Sequence, residues 1–242
     1  MNESKSAYRS GPLTVRLDGD FPGTIEVLVG DFRDVSATLS GVEEPGAWFH
    51  DNGQEITIRP PQVSGSFVSG FGRSNVVVNG RGGVIIQGGS YGNVTMRGGR
   101  VWIDGREVTE EMQRAQGPEL ALSIDLPSGS KLDYDLLNAG LRISGAGTIA
   151  RLSGSMSNGS VYATAPVAEA DVDAGNGSIE LRNLRGDAGV STSNGSITLD
   201  CYAPGVVQAV SGNGDIRVRD RAGLGRQLQI RARSGNGRVD VP

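Results

Sequence analysis

The side chains able to do acid–base or nucleophilic chemistry are few and scattered. His50 is the only histidine in the 242 residues and Cys201 the only cysteine. A Ser-His-Asp relay would have to run through Trp48-Phe49-His50-Asp51, and no Gly-x-Ser-x-Gly motif in a strand–turn–helix context accompanies it. His50 is therefore read as a structural or surface residue. A single cysteine excludes an internal disulfide framework and zinc sites built from several thiolates. In Ser196-Ile197-Thr198-Leu199-Asp200-Cys201 the alternation places Cys201 with Ile197 and Leu199, as a small buried hydrophobe.

Repeated Gly-x-Gly invites a phosphate-loop reading, but no Gly-x-x-x-x-Gly-Lys-Ser/Thr exists and no glycine turn opens a long helix. A calcium-binding solenoid needs an acid recurring in each turn; the residue after each Asn-Gly is Ser160, Ser178, Ser196, Asp215 and Arg238. Outward carboxylates such as Asp171 with Asp173, or Glu180 on the next rung, could form the acid pair of a glycan-cleaving solenoid, but the long loops that shape a groove in such enzymes are absent. Arg185-Gly186-Asp187 matches a tripeptide read by some adhesion receptors, a match short enough to arise by chance. No catalytic residue, metal site or cofactor is expected.

The densest charge lies at the C-terminal end. Residues 205–242 hold arginines 217, 219, 221, 226, 231, 233 and 238 against Asp215, Asp220 and Asp240, a net +4 in a chain whose total is −4. Alternation turns Ile216, Val218, Ile230 and Ala232 inward, so Arg217, Arg219, Arg231 and Arg233 are expected to share an outward face. That face is either simply solvated or a contact patch for an anionic partner or the acidic half of a neighbouring copy.

The elements that must position these groups are strands and tight corners. The chain has 38 glycines, more than twice the usage of ordinary globular proteins, with 5% aromatic residues. Five Asn-Gly dipeptides stand in register: Asn158-Gly159, Asn176-Gly177, Asn194-Gly195, Asn213-Gly214 and Asn236-Gly237. The asparagines are 18, 18, 19 and 23 residues apart. Each unit reads small-Asn-Gly-x-apolar-x-apolar, then a break, then a second alternating strand. The inserted residues of the later units fall around Ala203-Pro204-Gly205 and Ala222-Gly223-Leu224-Gly225. Asn-Gly tolerates positive φ and marks sharp reversals, so it also signals ordinary antiparallel hairpins. Recurrence of the whole pattern at one register favours a β-solenoid with rungs of about 18 residues, because one unit cannot bury its apolar edge and a stack can. The asparagines would then form a ladder.

The N-terminal part is β-rich but less regular. Strands are expected at 13–17, 24–29, 35–39 and 55–58, and shorter glycine-bounded strands, read as further rungs, at 76–78, 84–86, 93–96 and 101–105. Thr109–Gln116 has a capping threonine, early acids and a late arginine before Gly117-Pro118, and is expected to be one short helix. The expected organisation is an N-terminal sheet region at 1–60, glycine-rich rungs at 61–105, helix and linker at 106–118, and the solenoid at 119–242.

Ile124-Asp125-Leu126-Pro127-Ser128-Gly129-Ser130, followed by serial Asn-Gly-x-Ile/Val rungs, resembles the bacterial family named putative adhesin, a β-solenoid relative of head-GIN domains. Gly99–Gly105 resembles the hairpin that precedes such rungs. The resemblance covers residues 119–242 and implies a solenoid fold with a binding, adhesive or envelope-associated role. It supplies no catalytic residues.

The functional expectation is a non-catalytic structural or interaction protein, binding a protein partner or itself through exposed strand ends near Val239-Asp240-Val241-Pro242. Alternatives are a glycan-binding or glycan-cleaving solenoid using Trp48, Trp102 or Tyr162, and an envelope-stress or regulatory partner module. The acidic balance argues against nucleic acid. No apolar run reaches the roughly 20 residues of a membrane span. Without a signal pattern at Met1–Ser6 a full-length chain would be cytoplasmic.

Overall fold

The computed structural model describes residues 2–7, 11–21, 23–40, 48–59 and 120–242, with the backbone of five short strands between 77 and 107. The chain divides into two compact units, residues 1–62 with 120–242, and residues 63–119. The expected helix at 109–116 lies outside the described residues.

The first unit begins with β1 (Asn2–Ala7), β2 (Thr14–Gly19), β3 (Gly23–Gly30), β4 (Val35–Ser40), β5 (Phe49–Asp51) and β6 (Glu55–Ile58). The second unit holds β7 (Val77–Asn79), β8 (Gly83–Ile85), β9 (Val94–Arg97), β10 (Arg100–Ile103) and β11 (Arg106–Glu107). There β7 pairs antiparallel with β8, and β10 pairs antiparallel with both β9 and β11. Hairpins between sequence neighbours thus stand where rungs are expected.

The first unit resumes with β12 (Leu120–Pro127), β13 (Lys131–Gly145), β14 (Arg151–Ala163), β15 (Ala170–Asn176) and β16 (Ile179–Leu184). It continues through β17 (Ala188–Asn194), β18 (Ile197–Cys201), β19 (Gly205–Asn213), β20 (Ile216–Asp220), β21 (Leu228–Asn236) and β22 (Val239–Asp240), with one 3-10 turn at Gly225–Gln227. All seventeen strands of this unit join in one sheet.

Each coil contributes one strand to each of two columns. The first column runs β6, β2, the first part of β13, the first part of β14, β15, β17, β19 and β21, all parallel. The second runs β12, β3, the later parts of β13 and β14, β16, β18, β20 and β22, also parallel. This is a β-solenoid, and the rung-to-rung step of 18 residues between β14 and β17 is the one legible in the Asn-Gly spacing.

The N-terminal coils are threaded out of sequence order. The coil β2–β3 is held between β6–β12 on one side and β13 on the other. The chain passes over that coil through Pro127-Ser128-Gly129-Ser130, whose backbone is tied to both neighbours: Ser128 N to Gly30 O (2.8 Å), Gly129 N to Thr148 O (2.7 Å) and Lys131 N to Leu13 O (2.8 Å). The buried Ser130 hydroxyl accepts from Leu13 N at 3.1 Å.

Strict alternation turns every second side chain into one continuous core. It extends from Trp48 and Phe21 through Leu17, Ile25, Leu132, Leu141, Leu152, Val161, Val172, Ile179, Val190, Ile197, Ala209 and Ile216 to Leu228. Stacking makes this possible: parallel neighbours at about 4.8 Å bury each rung's apolar edge, which a lone coil would expose.

Candidate functional site: outer rows and ends of the stack

The Asn-Gly corners stack rung on rung, and both residues have a physical reason. Asn176 Nδ2 donates to Asn158 Oδ1 (2.9 Å), Asn194 to Asn176 (2.9 Å), Asn213 to Asn194 (2.8 Å) and Asn236 to Asn213 (2.8 Å). The ladder goes one rung further than the dipeptides show. Asn158 donates to Asn138 (3.0 Å), and Asn138 donates to the Asp20 carboxylate (3.0 Å). A run of amides donating one way polarises in series, and a carboxylate is the complementary acceptor at its end. The spacing search misses Asn138, because Ala139 follows it, and Asp20, because it comes from a coil threaded out of order.

The glycines are required by closeness. A Cβ at Gly159 would stand 1.6 Å from Ala139 O, and one at Gly177 1.6 Å from Gly159 O. At Gly195, Gly214 and Gly237 the carbonyl of the preceding rung's glycine would be 2.0–2.1 Å away. Gly159, Gly177 and Gly214 also have φ of 138°, 151° and 151°.

The four arginines expected on one face stand on two columns, Arg217 and Arg219 on β20 and Arg231 and Arg233 on β21. The first pair is engaged within the chain. Arg217 Nε lies 3.4 Å from Asp240 Oδ2, and Arg219 Nη1 lies 3.5 Å from Asp200 Oδ1. Asp200 is nearly buried and also receives Arg182 Nη1 and Arg221 Nη2, each at 3.4 Å. Nothing in the sequence singles out Asp200, because its partners come from the rungs on either side of its own. Arg231 and Arg233 are exposed and make no ion pair among the described residues.

Two continuous rows follow from the register of the first column. One runs Arg16, Asp133, Ser153, Asp171, Gly189, Gln208 and Arg231, and the next Asp18, Asp135, Ser155, Asp173, Ser191, Val210 and Arg233. Serine hydroxyls bridge the acids: Ser153 donates to Asp133, Ser155 to Asp135 (2.9 Å) and Ser191 to Asp173. At the acidic end lies an open depression of about 600 Å³, lined by Thr14, Arg16, Lys131, Asp133, Asp135 and Ser153 among others. Asp171 and Asp173 share this face, whereas Glu180 stands on the second column beside Arg182. Among the described residues no three His, Cys, Asp or Glu side chains gather as metal ligands.

Beneath this face Tyr134 points into the core across Gly154, where a Cβ would stand 2.7 Å from its Cγ. Its hydroxyl has no hydrogen-bond partner among the described residues, and burial, with the charges of Asp173 and Asp171, pushes its pKa up. Cys201 is buried, and desolvation with the charges of Asp200 and Asp220 pushes its thiol up to about 11. His50 lies on β5 opposite Thr57. In Arg185-Gly186-Asp187, Asp187 accepts the Val206 amide at 2.8 Å. Of the aromatics considered as glycan platforms, Trp48 is fully buried, Tyr162 is 41% exposed, and the side chain of Trp102 lies outside the described residues.

The two ends of the stack differ. At the N-terminal end β5 lies antiparallel on β6, and β4 and β1 antiparallel on β12, breaking the parallel pattern. Trp48 seals this end and donates Nε1–H to Glu3 at 3.0 Å; hydrogen bonds from Lys5 and Trp48 hold the Glu3 carboxyl below the usual range. At the other end β21 and β22 keep the parallel pattern and, like β1 and β5, pair on one side only among the described residues, with Val239 38% and Val241 44% exposed.

No family model and no curated protein matches the chain. Three solved structures align along nearly all of it. They are a putative cell adhesion protein from Clostridium sporogenes (9% identity, 99% of this chain and 97% of that one, TM-score 0.43), a putative adhesin from Bacteroides fragilis (12%, 100% and 97%, 0.45), and a putative lipid binding protein from Parabacteroides distasonis (13%, 100% and 97%, 0.34). At these scores the likeness carries no functional argument. No helix among the described residues is long and apolar enough to cross a membrane, which says nothing of β-barrels.

Proposed function

We propose that this chain is a non-catalytic interaction scaffold, a rigid β-solenoid that binds through its outer rows and pairs with another strand at its C-terminal end. The contrast between the ends carries the reading. One ends on short antiparallel strands, β5 and the charged β1, over a buried Trp48; the other ends on β21 and β22, which keep the parallel pattern and bear exposed valines. The test is sedimentation over a concentration series. Wild type is expected to associate, and Val239→Lys/Val241→Lys, which puts like charges on that edge, to lose the end-on species. Monomers at every concentration would overturn end-on pairing.

A second reading, a glycan-binding or glycan-cleaving surface, is favoured only by the open depression in which Asp133, Asp135 and Asp171 stand beside Arg16, Lys131 and Arg151. A glycan array with a hydrolysis assay tests it. Turnover abolished by Asp171→Asn or Asp173→Asn would replace the scaffold reading.

A further inference from the structure

We propose that the outer face of the first column docks a second copy of this chain. The two copies would lie face to face about a two-fold axis parallel to the strands. The inference rests on the reading of the chain as an interaction scaffold and adds the face, the partner and the register.

Charge complementarity within one face is the argument. Its acidic end carries Asp133 and Asp135 on β13 and Asp171 and Asp173 on β15; its other end carries Arg231 and Arg233 on β21. In all three strands the charges are spaced i and i+2, so they point outward together, about 7 Å apart. Because every strand in the column is parallel and in register, an axis along the strands reverses the rung order and leaves each row in place. Asp133 then meets Arg231 of the second copy, and Asp135 meets its Arg233. On the rungs between, Ser153 faces Gln208, Ser155 faces the 49% exposed Val210, Asp171 faces Gly189, and Asp173 faces Ser191.

That pairing places no two like charges of these two rows opposite each other. Arg16, next in the row beyond Asp133, overhangs the second copy's last rung. In the row nearer the corner Glu169 would approach Asp187, but each is already engaged within its own copy, by Arg151 at 3.1 Å and by the Val206 amide. On the two central rungs Asp171 and Asp173 meet only the small Gly189 and Ser191, which lets two sheets approach to the usual separation of about 10 Å.

The overlap spans six rungs, about 24 Å along the stack and roughly 20 Å along the strands. Roughly 500 Å² per copy in projection falls at the low end of specific interfaces, so the dimer is weak and salt-sensitive.

The experiment is charge swapping with full-length protein, read by analytical ultracentrifugation at low and high salt. Asp133→Arg/Asp135→Arg alone and Arg231→Asp/Arg233→Asp alone each place like charges at both contacts, and each is expected to weaken dimerisation at least about tenfold. An equimolar mixture is expected to recover the dimer, because both contacts are again opposite in sign. Circular dichroism melts establish that each variant is folded; should the β13 variant unfold, the β21 pair alone with the salt series on wild type decides. A folded mixture that fails to recover, or a salt-insensitive dimer, overturns the proposal. Asp171→Arg/Asp173→Arg, which faces neutral residues, is expected to leave the dimer in place; if it alone abolishes pairing, this register is overturned. Association that ignores all these variants but vanishes in Val239→Lys/Val241→Lys supports the end-on reading and overturns this one.

Discussion

Replacing Gly177 with alanine tests whether close rung stacking, and not turn conformation alone, demands glycine at the corners. The added Cβ would stand 1.6 Å from Gly159 O and 2.5 Å from its carbonyl carbon. Non-bonded heavy atoms settle near 3.5 Å, so the two rungs must separate locally by about 2 Å. Three bonds join them there: Val161 N to Ser178 O (3.0 Å), Ser178 N to Ser160 Oγ (3.2 Å) and Asn176 Nδ2 to Asn158 Oδ1 (2.9 Å). None survives a displacement of that size. Losing all three costs about 3 kcal/mol, and holding φ of 151° with a side chain about 1–2 kcal/mol more. The whole, about 4–5 kcal/mol, lowers Tm by roughly 10–15 °C for a unit of this size. Gly223→Ala is the control, since Gly223 has φ of 68° with nothing within 4 Å of the added carbon. It pays the φ cost only, about 1 kcal/mol and a few degrees. Melting followed by far-UV circular dichroism compares the two; equal losses would show that rung contact is not what requires glycine.

Tyr134→Phe removes a buried hydroxyl without a partner and is expected to raise stability by about 1 kcal/mol, measured by urea unfolding. Cys201, buried and with its thiol pushed up to about 11, is expected to resist a thiol-specific chromogenic disulfide in the native state at mildly alkaline pH and to react fully once denatured. The amides of Leu224 and Gly225, with those of Ala222 and Gly223, hold the Asp220 carboxyl below its usual range. A depressed folded-state pKa means that Asp220 stabilises the fold above the unfolded carboxylate range and stops doing so as pH falls through its folded value. Wild type is therefore expected to lose Tm more steeply than Asp220→Asn on acidification below about pH 4.

Much of the C-terminal half was legible because its signals are local. Period-two alternation placed Ile197, Leu199 and Cys201 inside together, and the fixed spacing placed Asn158, Asn176, Asn194, Asn213 and Asn236 in one ladder. The N-terminal strands near 14–19, 23–30, 35–40 and 55–58 followed from the same alternation. Polar β1, Asn-Glu-Ser-Lys-Ser-Ala, carries no apolar period, and it forms a strand only because β4 offers it an edge.

The arginines mark the limit of that reading. Alternation says correctly that Arg217, Arg219, Arg231 and Arg233 point outward, but outwardness on successive strands says nothing of which column each strand joins. β20 and β21 join different columns, and only the stack brings Arg219 and Arg221 against Asp200 while leaving Arg231 and Arg233 without ion partners among the described residues. The strands at 77–79 and 83–85 show the same limit, since glycine-bounded apolar segments pair as hairpins or as rungs with equal local chemistry.

By itself the sequence determined what nearest-neighbour chemistry dictates: strands, corners, the ladder's period and the inward residues. The tertiary structure decided what depends on contacts far apart in the chain. It threaded the coil β2–β3 between β12 and β13, ended the asparagine ladder on Asp20 and laid antiparallel strands over Trp48 at one end. Those outcomes turn on which distant edges meet, because a strand's hydrogen-bonding groups accept any parallel or antiparallel neighbour and only the packed core selects among them.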